Sequence, residues 1–188
     1  MTPPRAGELR VGISACLLGQ EVRWDGGHKL DRAAAEIARA VTLVPVCPEV
    51  EVGMGVPREP IRLERRRGGT RLVAPASGTD HTRGMRRFAL ARVRQLERLG
   101  LCGFVLKEGS PSCGLERVRV WRGEEAVGDG RGAFAAALLE LLPGLPVVEE
   151  AALRDPRRRE EFLERVRVYG RRCSGRRAQP RRSRPNSR

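Results

Sequence analysis

Apolar segments and amphipathic segments alternate along most of the chain. Mostly apolar segments of strand length occupy residues 9–15, 42–47, 102–106 and 145–148. Helical spacing of apolar positions marks residues 31–40, 80–99, 133–142 and 155–169. Strands that alternate with helices are typical of parallel sheets covered on both faces. The pattern therefore predicts a single α/β domain with three layers and one mostly parallel, Rossmann-like sheet.

The remaining segments predict loops and sheet edges. Residues 48–63 are rich in glycine and proline, so we expect a structured loop there and no regular helix. It leads into an edge hairpin whose second strand is 71–73 and whose turn is Gly68-Gly69. Residues 117–122 alternate apolar and polar side chains like an edge strand, and 128–132 form a glycine-rich turn.

The positive charge is concentrated near the end of the chain. The formal net charge is +14, and residues 171–188 carry eight arginines and no acid, which leaves +6 for residues 1–170. We therefore expect a folded domain over 1–170 and a disordered, arginine-rich tail over 171–188. Such a tail gives the chain a non-specific route to nucleic acid through phosphates. We see no apolar run of membrane-spanning length and no signal-peptide core, so the predicted location is cytoplasmic, without a membrane partner.

Three of the five cysteines share one kind of setting. Cys16, Cys47 and Cys113 each stand at or just beyond the end of an apolar run, beside a glycine or proline that breaks it. Strand ends in open α/β sheets are where ligands bind, so the three thiols are expected to converge at one sheet edge. Cys102 starts a strand and Cys173 lies among arginines, where a core residue and an exposed thiol are the simpler interpretations.

The spacing of the three cysteines excludes the paired Cys-x-x-Cys knuckles of zinc ribbons, since they lie 31 and 66 residues apart. Three thiolates can ligate three irons of a [4Fe-4S] cluster and leave the fourth iron open. The alternative is that all three are small buried core residues. Glycine, proline and polar neighbours count against that alternative.

Polar side chains near these cysteines are candidates for the remaining chemistry. Glu49 follows Cys47 and is suited to acid–base work or, equally, to a loop salt bridge. Ser110 and Ser112 precede Cys113 and have hydroxyls that either donate to sulfur or substrate or cap the loop. Asp25 and His28 lie in the long loop after Cys16 and are candidates to orient a ligand, although a lone histidine more often satisfies a loop carbonyl.

Five ordered motifs together resemble the DUF523 family of TudS-like thiouracil desulfurases, over roughly residues 9–150. The motifs are Ser14–Gly19, Arg23–Gly27, Val46–Val50, Pro57–Pro60 and Ser110–Gly114. The form of residues 47–60 is similar to a branch in which this domain is fused to a DUF1722 domain, here without that domain. Residues 155–169 resemble the start of that continuation.

The resemblance implies a [4Fe-4S] cluster held by Cys16, Cys47 and Cys113, whose open iron takes the sulfur of a thiolated substrate. It also implies that Glu49 and Ser110 handle protons. We assign Asp25, His28 and Ser112 to substrate binding. The predicted function is removal of sulfur from a small thiocarbonyl compound such as a thiolated pyrimidine. The alternative is a non-catalytic iron–sulfur or zinc module that docks on nucleic acid through its basic tail.

Overall fold

The computed structural model describes residues 8–177, with side chains through Cys173. Its first sheet has four strands, all parallel, in the order β2-β1-β5-β8. These strands are β1 (Arg10–Ser14), β2 (Thr42–Val46), β5 (Leu101–Leu106) and β8 (Val147–Glu149). Every residue of β1 and β5 is buried, Arg10 and Ser14 included, as expected for strands covered on both faces.

Helices cover both faces of this parallel sheet. On one face, α3 (Thr82–Arg98) and α4 (Ala133–Leu141) pack against β2 and β5 around Phe104 and Phe134. On the other face, the short α1 (Arg32–Glu36) and the long α5 (Pro156–Arg177) pack against β1. The predicted α/β class with three layers is confirmed for this part of the molecule.

A second sheet replaces part of the predicted single sheet. It has the order β4-β3-β6-β7 and consists of two antiparallel hairpins joined by a parallel pairing of β3 with β6. The strands are β3 (Arg62–Arg66), β4 (Gly69–Val73), β6 (Val118–Arg122) and β7 (Glu125–Gly130). Its small apolar cluster includes Leu63, Leu72 and Met85. The two hairpins pair with each other because each buries one face against this cluster and leaves the other polar.

Three local predictions were wrong. Residues 128–132 are not simply a turn, because Gly128–Gly130 belong to β7 and pair with β6. Glycine fits there because the hydrogen bonds between the two strands use only backbone groups. The first hairpin turns one residue earlier than predicted, since Gly69 already pairs with Arg66. One turn of helix, α2 (Pro48–Glu51), follows β2, because proline at the first helical position lacks only an N–H that the helix does not use.

The last helix is longer than predicted. It runs to Arg177 instead of ending at residue 169, and ion pairs of Arg167 with Glu160 and Glu164 support its exposed face. The first residues of the predicted tail are thus helical. Residues 178–188 of that tail, and residues 1–7 at the other end, lie outside the described residues. Over the described part of the chain, no helix combines the length and apolar character needed to cross a membrane.

Candidate functional site

A cavity of about 350 Å³ brings the predicted cysteines together. It lies at the carboxyl ends of β1, β2 and β5, because neighbouring parallel strands end at the same edge of the sheet. Cys16, Cys47 and Cys113 all line it, together with Glu49 and Ser110. The structure therefore places five of the eight predicted site residues around one space.

Cys16 is held by the loop that follows it. It lies in a turn of 3-10 helix, Ala15–Leu18, directly after β1. Its carbonyl oxygen accepts hydrogen bonds from the backbone N–H groups of Gly19, at 3.2 Å, and Lys29, at 3.0 Å. Both ends of the long loop are thereby fastened to the residue that carries the thiol.

Cys47 and Glu49 stand where β2 passes into α2. The backbone N–H of Cys47 donates to Glu51, at 3.1 Å, and its thiol lies 3.6 Å from the carbonyl oxygen of Val22. The carboxylate of Glu49 is paired with the guanidinium of Arg58, and both side chains are largely buried. The loop salt bridge considered for Glu49 is thus present, within the wall of the cavity.

Arg58 joins three parts of the wall. Its guanidinium binds Glu49 and also donates to the carbonyl oxygens of Val22, at 2.9 Å, and Gly55, at 2.8 Å. Its backbone N–H donates to the carbonyl oxygen of Trp24, also at 2.9 Å. Arg58 stands in the motif Pro57–Pro60, but the sequence alone assigns it no role. A lone arginine in a proline-rich loop carries no pattern that separates it from the chain's many others.

The loop that carries Cys113 is fastened to the start of α4. Backbone N–H groups at the start of the helix donate to loop carbonyls: Gly132 to Gly114 at 2.8 Å and Phe134 to Ser112 at 2.9 Å. A helix start has N–H groups without partners in the helix, so the loop supplies the acceptors that they need. Ser110 Oγ accepts from the N–H of Cys113, at 3.1 Å, which confirms the capping interpretation of this hydroxyl.

Ser14, Lys107 and Glu150 also belong to the site, and sequence reasoning missed all three. Ser14 Oγ accepts from the backbone N–H of Lys107, at 3.0 Å, and its hydroxyl also bonds the thiol of Cys113. Lys107 Nζ lies 2.5 Å from the carboxylate of Glu150, which is only 3% exposed. The rarity of lysine, with Lys29 the one other in the chain, was the available signal for Lys107.

Burial controls the ionisation of the three thiols. It raises the pKa of Cys16 to about 11, to which the neighbouring Cys47 adds, while Lys107 and Arg23 act in the opposite direction. Burial likewise raises the pKa of Cys47 and that of Cys113. The thiols by themselves therefore stay protonated near neutral pH, and a bound metal is the kind of partner that turns such thiols into thiolates.

The donor set fits an iron–sulfur cluster better than a single ion. Among residues 8–177, no group of three or more histidine, cysteine or acidic side chains is placed to hold one metal ion. Cluster ligands stand farther apart, because each thiolate binds a different iron. Three thiols on three separate loops around one cavity match that requirement, and thiolate is the usual ligand of such clusters.

The three residues predicted to bind substrate are not among those that line the cavity. Asp25 binds Arg23, which does line it, and the hydrogen bonds from Arg23 lower the pKa of Asp25. His28 Nδ1 accepts from the N–H of Leu30, at 3.2 Å. Ser112 is fully buried, and its hydroxyl has no hydrogen-bond partner in the described part of the chain. Direct substrate contact by these three residues stays a prediction.

Comparison with known proteins gives concordant results. A family model described as 2-thiouracil desulfurase matches residues 11–150. YbbK of Bacillus subtilis (strain 168), described as uncharacterized, is 31% identical over 150 residues, which are 76% of this chain and 97% of YbbK. The solved structure of a [4Fe-4S]-dependent thiouracil desulfidase, TudS, is similar with a TM-score of 0.62 and 34% identity. That similarity covers 78% of this chain and 94% of TudS.

Proposed function

Because this chain belongs to the 2-thiouracil desulfurase family, we propose that it removes sulfur from a small thiocarbonyl compound, most simply a thiolated pyrimidine. Similarity to a [4Fe-4S]-dependent desulfidase supports an enzyme that cleaves a C–S bond. The observation that carries the proposal is the single cavity lined by three thiols, one carboxylate and one hydroxyl. In the overall reaction, the oxygen of water replaces the thiocarbonyl sulfur, which leaves as hydrogen sulfide.

In this proposal Cys16, Cys47 and Cys113 hold a [4Fe-4S] cluster and leave one iron without a protein ligand. That iron supplies a Lewis acid for the sulfur of the substrate. The chain itself supplies a partly apolar lining, from Val22, Val46, Pro60, Ile61 and Pro111, beside the charged residues of the wall.

Glu49 is the proposed acid–base group. Its carboxylate is held in place by Arg58, and Glu49 lines the cavity. There it takes a proton from the attacking water and returns it to the departing sulfur. Hydrogen sulfide carries both protons of the water, so a second group must pass the other proton on.

Ser110 is the proposed second proton donor. Its oxygen already accepts hydrogen bonds from the N–H groups of Ser112, at 3.2 Å, and Cys113, at 3.1 Å. A hydroxyl has one proton to donate besides its acceptor sites, so the proton of Ser110 is the part left for the cavity. Asp25 is proposed to act on the substrate through Arg23, while His28 and Ser112 keep the binding role predicted from the sequence.

The test is turnover by protein reconstituted anaerobically with iron and sulfide. With this protein we expect 2-thiouracil or 4-thiouracil to lose its thiocarbonyl absorbance while an equal amount of sulfide appears. With protein that lacks the cluster, we expect neither the loss of absorbance nor the release of sulfide. If cluster-loaded protein releases no sulfide from any thiolated base, the proposed function is wrong. Retention of the same protein on nucleic acid, lost when the basic tail is deleted, would then support a binding module.

A further inference from the structure

Trp24 stands at the rim of the cysteine cavity. It is one of the residues that line the cavity, and 46% of its surface is exposed. The other six aromatic side chains of the chain have other places: Phe104, Phe134 and Phe162 are fully buried, Phe88 and Tyr169 pack against the core, and Trp121 contacts Arg62. No other aromatic ring lines this cavity in the described structure. An indole in this position is accessible to a ligand that enters the cavity.

The backbone around Trp24 is braced. The carbonyl oxygen of Trp24 accepts from the N–H of Arg58, at 2.9 Å. The backbone N–H of Arg23 donates to the carbonyl oxygen of Gly27, at 3.2 Å. The guanidinium of Arg23 donates to both carboxylate oxygens of Asp25, at 3.1 and 3.2 Å. The indole is therefore presented by a loop with a defined shape, so little order has to be gained when a ligand binds.

Arg58 connects this rim to Glu49, the proposed acid–base group. Arg58 bonds the main chain at Trp24 and the carboxylate of Glu49. Arg58 thereby fixes the position of Trp24, and of a ring lying against it, relative to Glu49. Two of the surrounding cations already have acidic partners, since Arg23 is paired with Asp25 and Lys107 with Glu150.

We propose that Trp24 is a specificity-determining residue that selects flat, aromatic thiocarbonyl rings by stacking on them. This inference rests on the proposed function and deepens it. A flat heterocycle presents its π-face to the indole while its thiocarbonyl points in the plane of the ring toward the cysteines. Stacking of a base on an aromatic side chain tolerates many substituents, since every base has such a face. A saturated ring is puckered and loses the contact.

The test compares 2-thiouracil with 5,6-dihydro-2-thiouracil, which keeps the thiocarbonyl but is not flat. Both are given to cluster-loaded wild-type protein, Trp24→Leu, Trp24→Phe and the matched control Trp121→Leu. We expect Trp24→Leu to raise KM for 2-thiouracil about 5- to 150-fold, the range that base stacking covers, with a smaller change in kcat. Its preference for the flat ring should collapse, while Trp24→Phe and Trp121→Leu keep it. A preference that survives in Trp24→Leu overturns the inference and leaves the proposed function intact.

Calorimetry separates this inference from the proposed function. Uracil and 5,6-dihydrouracil contain no sulfur and are not consumed, so their binding to the same cluster-loaded proteins needs no turnover. We expect wild-type protein to bind uracil more tightly than dihydrouracil, and Trp24→Leu to bind both equally weakly. If the wild-type protein does not distinguish the two, the inference is wrong. If it distinguishes them but releases no sulfide from any thiolated base, the stacking site stands and the proposed function fails.

Discussion

At the scale of single residues, the site depends on a carboxylate that cannot move freely. Glu49 is paired with Arg58, and the side chain of Arg58 is only 5% exposed. We predict that Glu49→Gln keeps the cluster spectrum but slows sulfide release by about 10²–10⁴-fold, the usual range for general acid–base catalysis. The measurement is single-turnover sulfide release at equal cluster content. Wild-type rates in Glu49→Gln would remove Glu49 from the proton pathway.

A second carboxylate, Glu59, holds the segment that carries Arg58. It accepts hydrogen bonds from Ser77, at 2.8 Å, and Ala76, at 2.6 Å, and these bonds lower its pKa from the ordinary 4.5. A carboxylate whose pKa is lowered by folding stabilises the protein above its unfolded pKa, and that contribution is lost as the pH falls.

We therefore predict that Glu59→Gln lowers the melting temperature at pH 7 and has little effect at a pH well below 4.5, the ordinary pKa of this carboxyl. The glutamine oxygen still accepts the hydrogen bonds, so the variant isolates the contribution of the charge. Melting curves of the two proteins across this pH range check the prediction. An equal difference in melting temperature at both ends of the range contradicts it.

At the scale of elements, the start of α4 and the loop before β6 act as one unit. Gly132 has no side chain where it meets the cysteine loop, and a Cβ there would lie 2.5 Å from the backbone of Ser112 and 2.8 Å from the N atom of Cys113. We predict that Gly132→Ala shifts this loop, costs about 1–3 kcal/mol of stability and lowers the iron bound per chain. Urea unfolding and iron analysis are the measurements.

Gly84→Ala is the matched control for that variant. A Cβ at Gly84, in the first turn of α3, meets nothing within 4 Å. Alanine is the better helix former, so this change should stabilise the protein by up to about 1 kcal/mol and leave iron content unchanged. Full iron content in Gly132→Ala would show that the loop adapts and that its contact with α4 does not position Cys113.

The elements also show what the sequence could reveal. The strands of the parallel sheet were predictable because each is a short, mostly apolar segment. Because Cys16, Cys47 and Cys113 follow the carboxyl ends of these strands, their convergence was predictable as well. The second sheet was not predictable from the sequence, because β3 and β7 are mostly polar on their exposed faces. Glycines in such a strand look the same as glycines in a turn, and only the pairing with β6 distinguishes them.

The parts of the site that were missed depend on contacts between distant segments. Lys107 and Glu150 are 43 residues apart and form a largely buried pair beside Cys16. Neither has a local pattern that distinguishes a partner in a cavity wall from a solvated charge. Arg58 was missed for the same reason. Motif spacing identifies what a loop can ligate, whereas the supporting residues emerge only when the loops are brought together.

At the scale of the whole molecule, part of the formal net charge of +14 comes from residues 178–188. These residues contribute four arginines and no acid. We predict that deleting residues 178–188 leaves melting temperature and iron content unchanged and weakens retention on DNA at low salt, since fewer phosphates are neutralised. Heparin or DNA chromatography measures retention. Loss of iron on deletion would show that this segment supports the site.

Iron content shows whether the carboxyl edge of the parallel sheet assembles a cluster from three cysteines. Each cysteine is changed singly to alanine in anaerobically reconstituted protein, and iron, sulfide and charge-transfer absorption are measured. We predict that Cys16→Ala, Cys47→Ala and Cys113→Ala each lose the cluster, because all three thiols line the cavity. Cys102→Ala and Cys173→Ala should keep it, because neither lines that cavity. A full cluster in any of the first three, or its loss in either of the last two, would contradict the account.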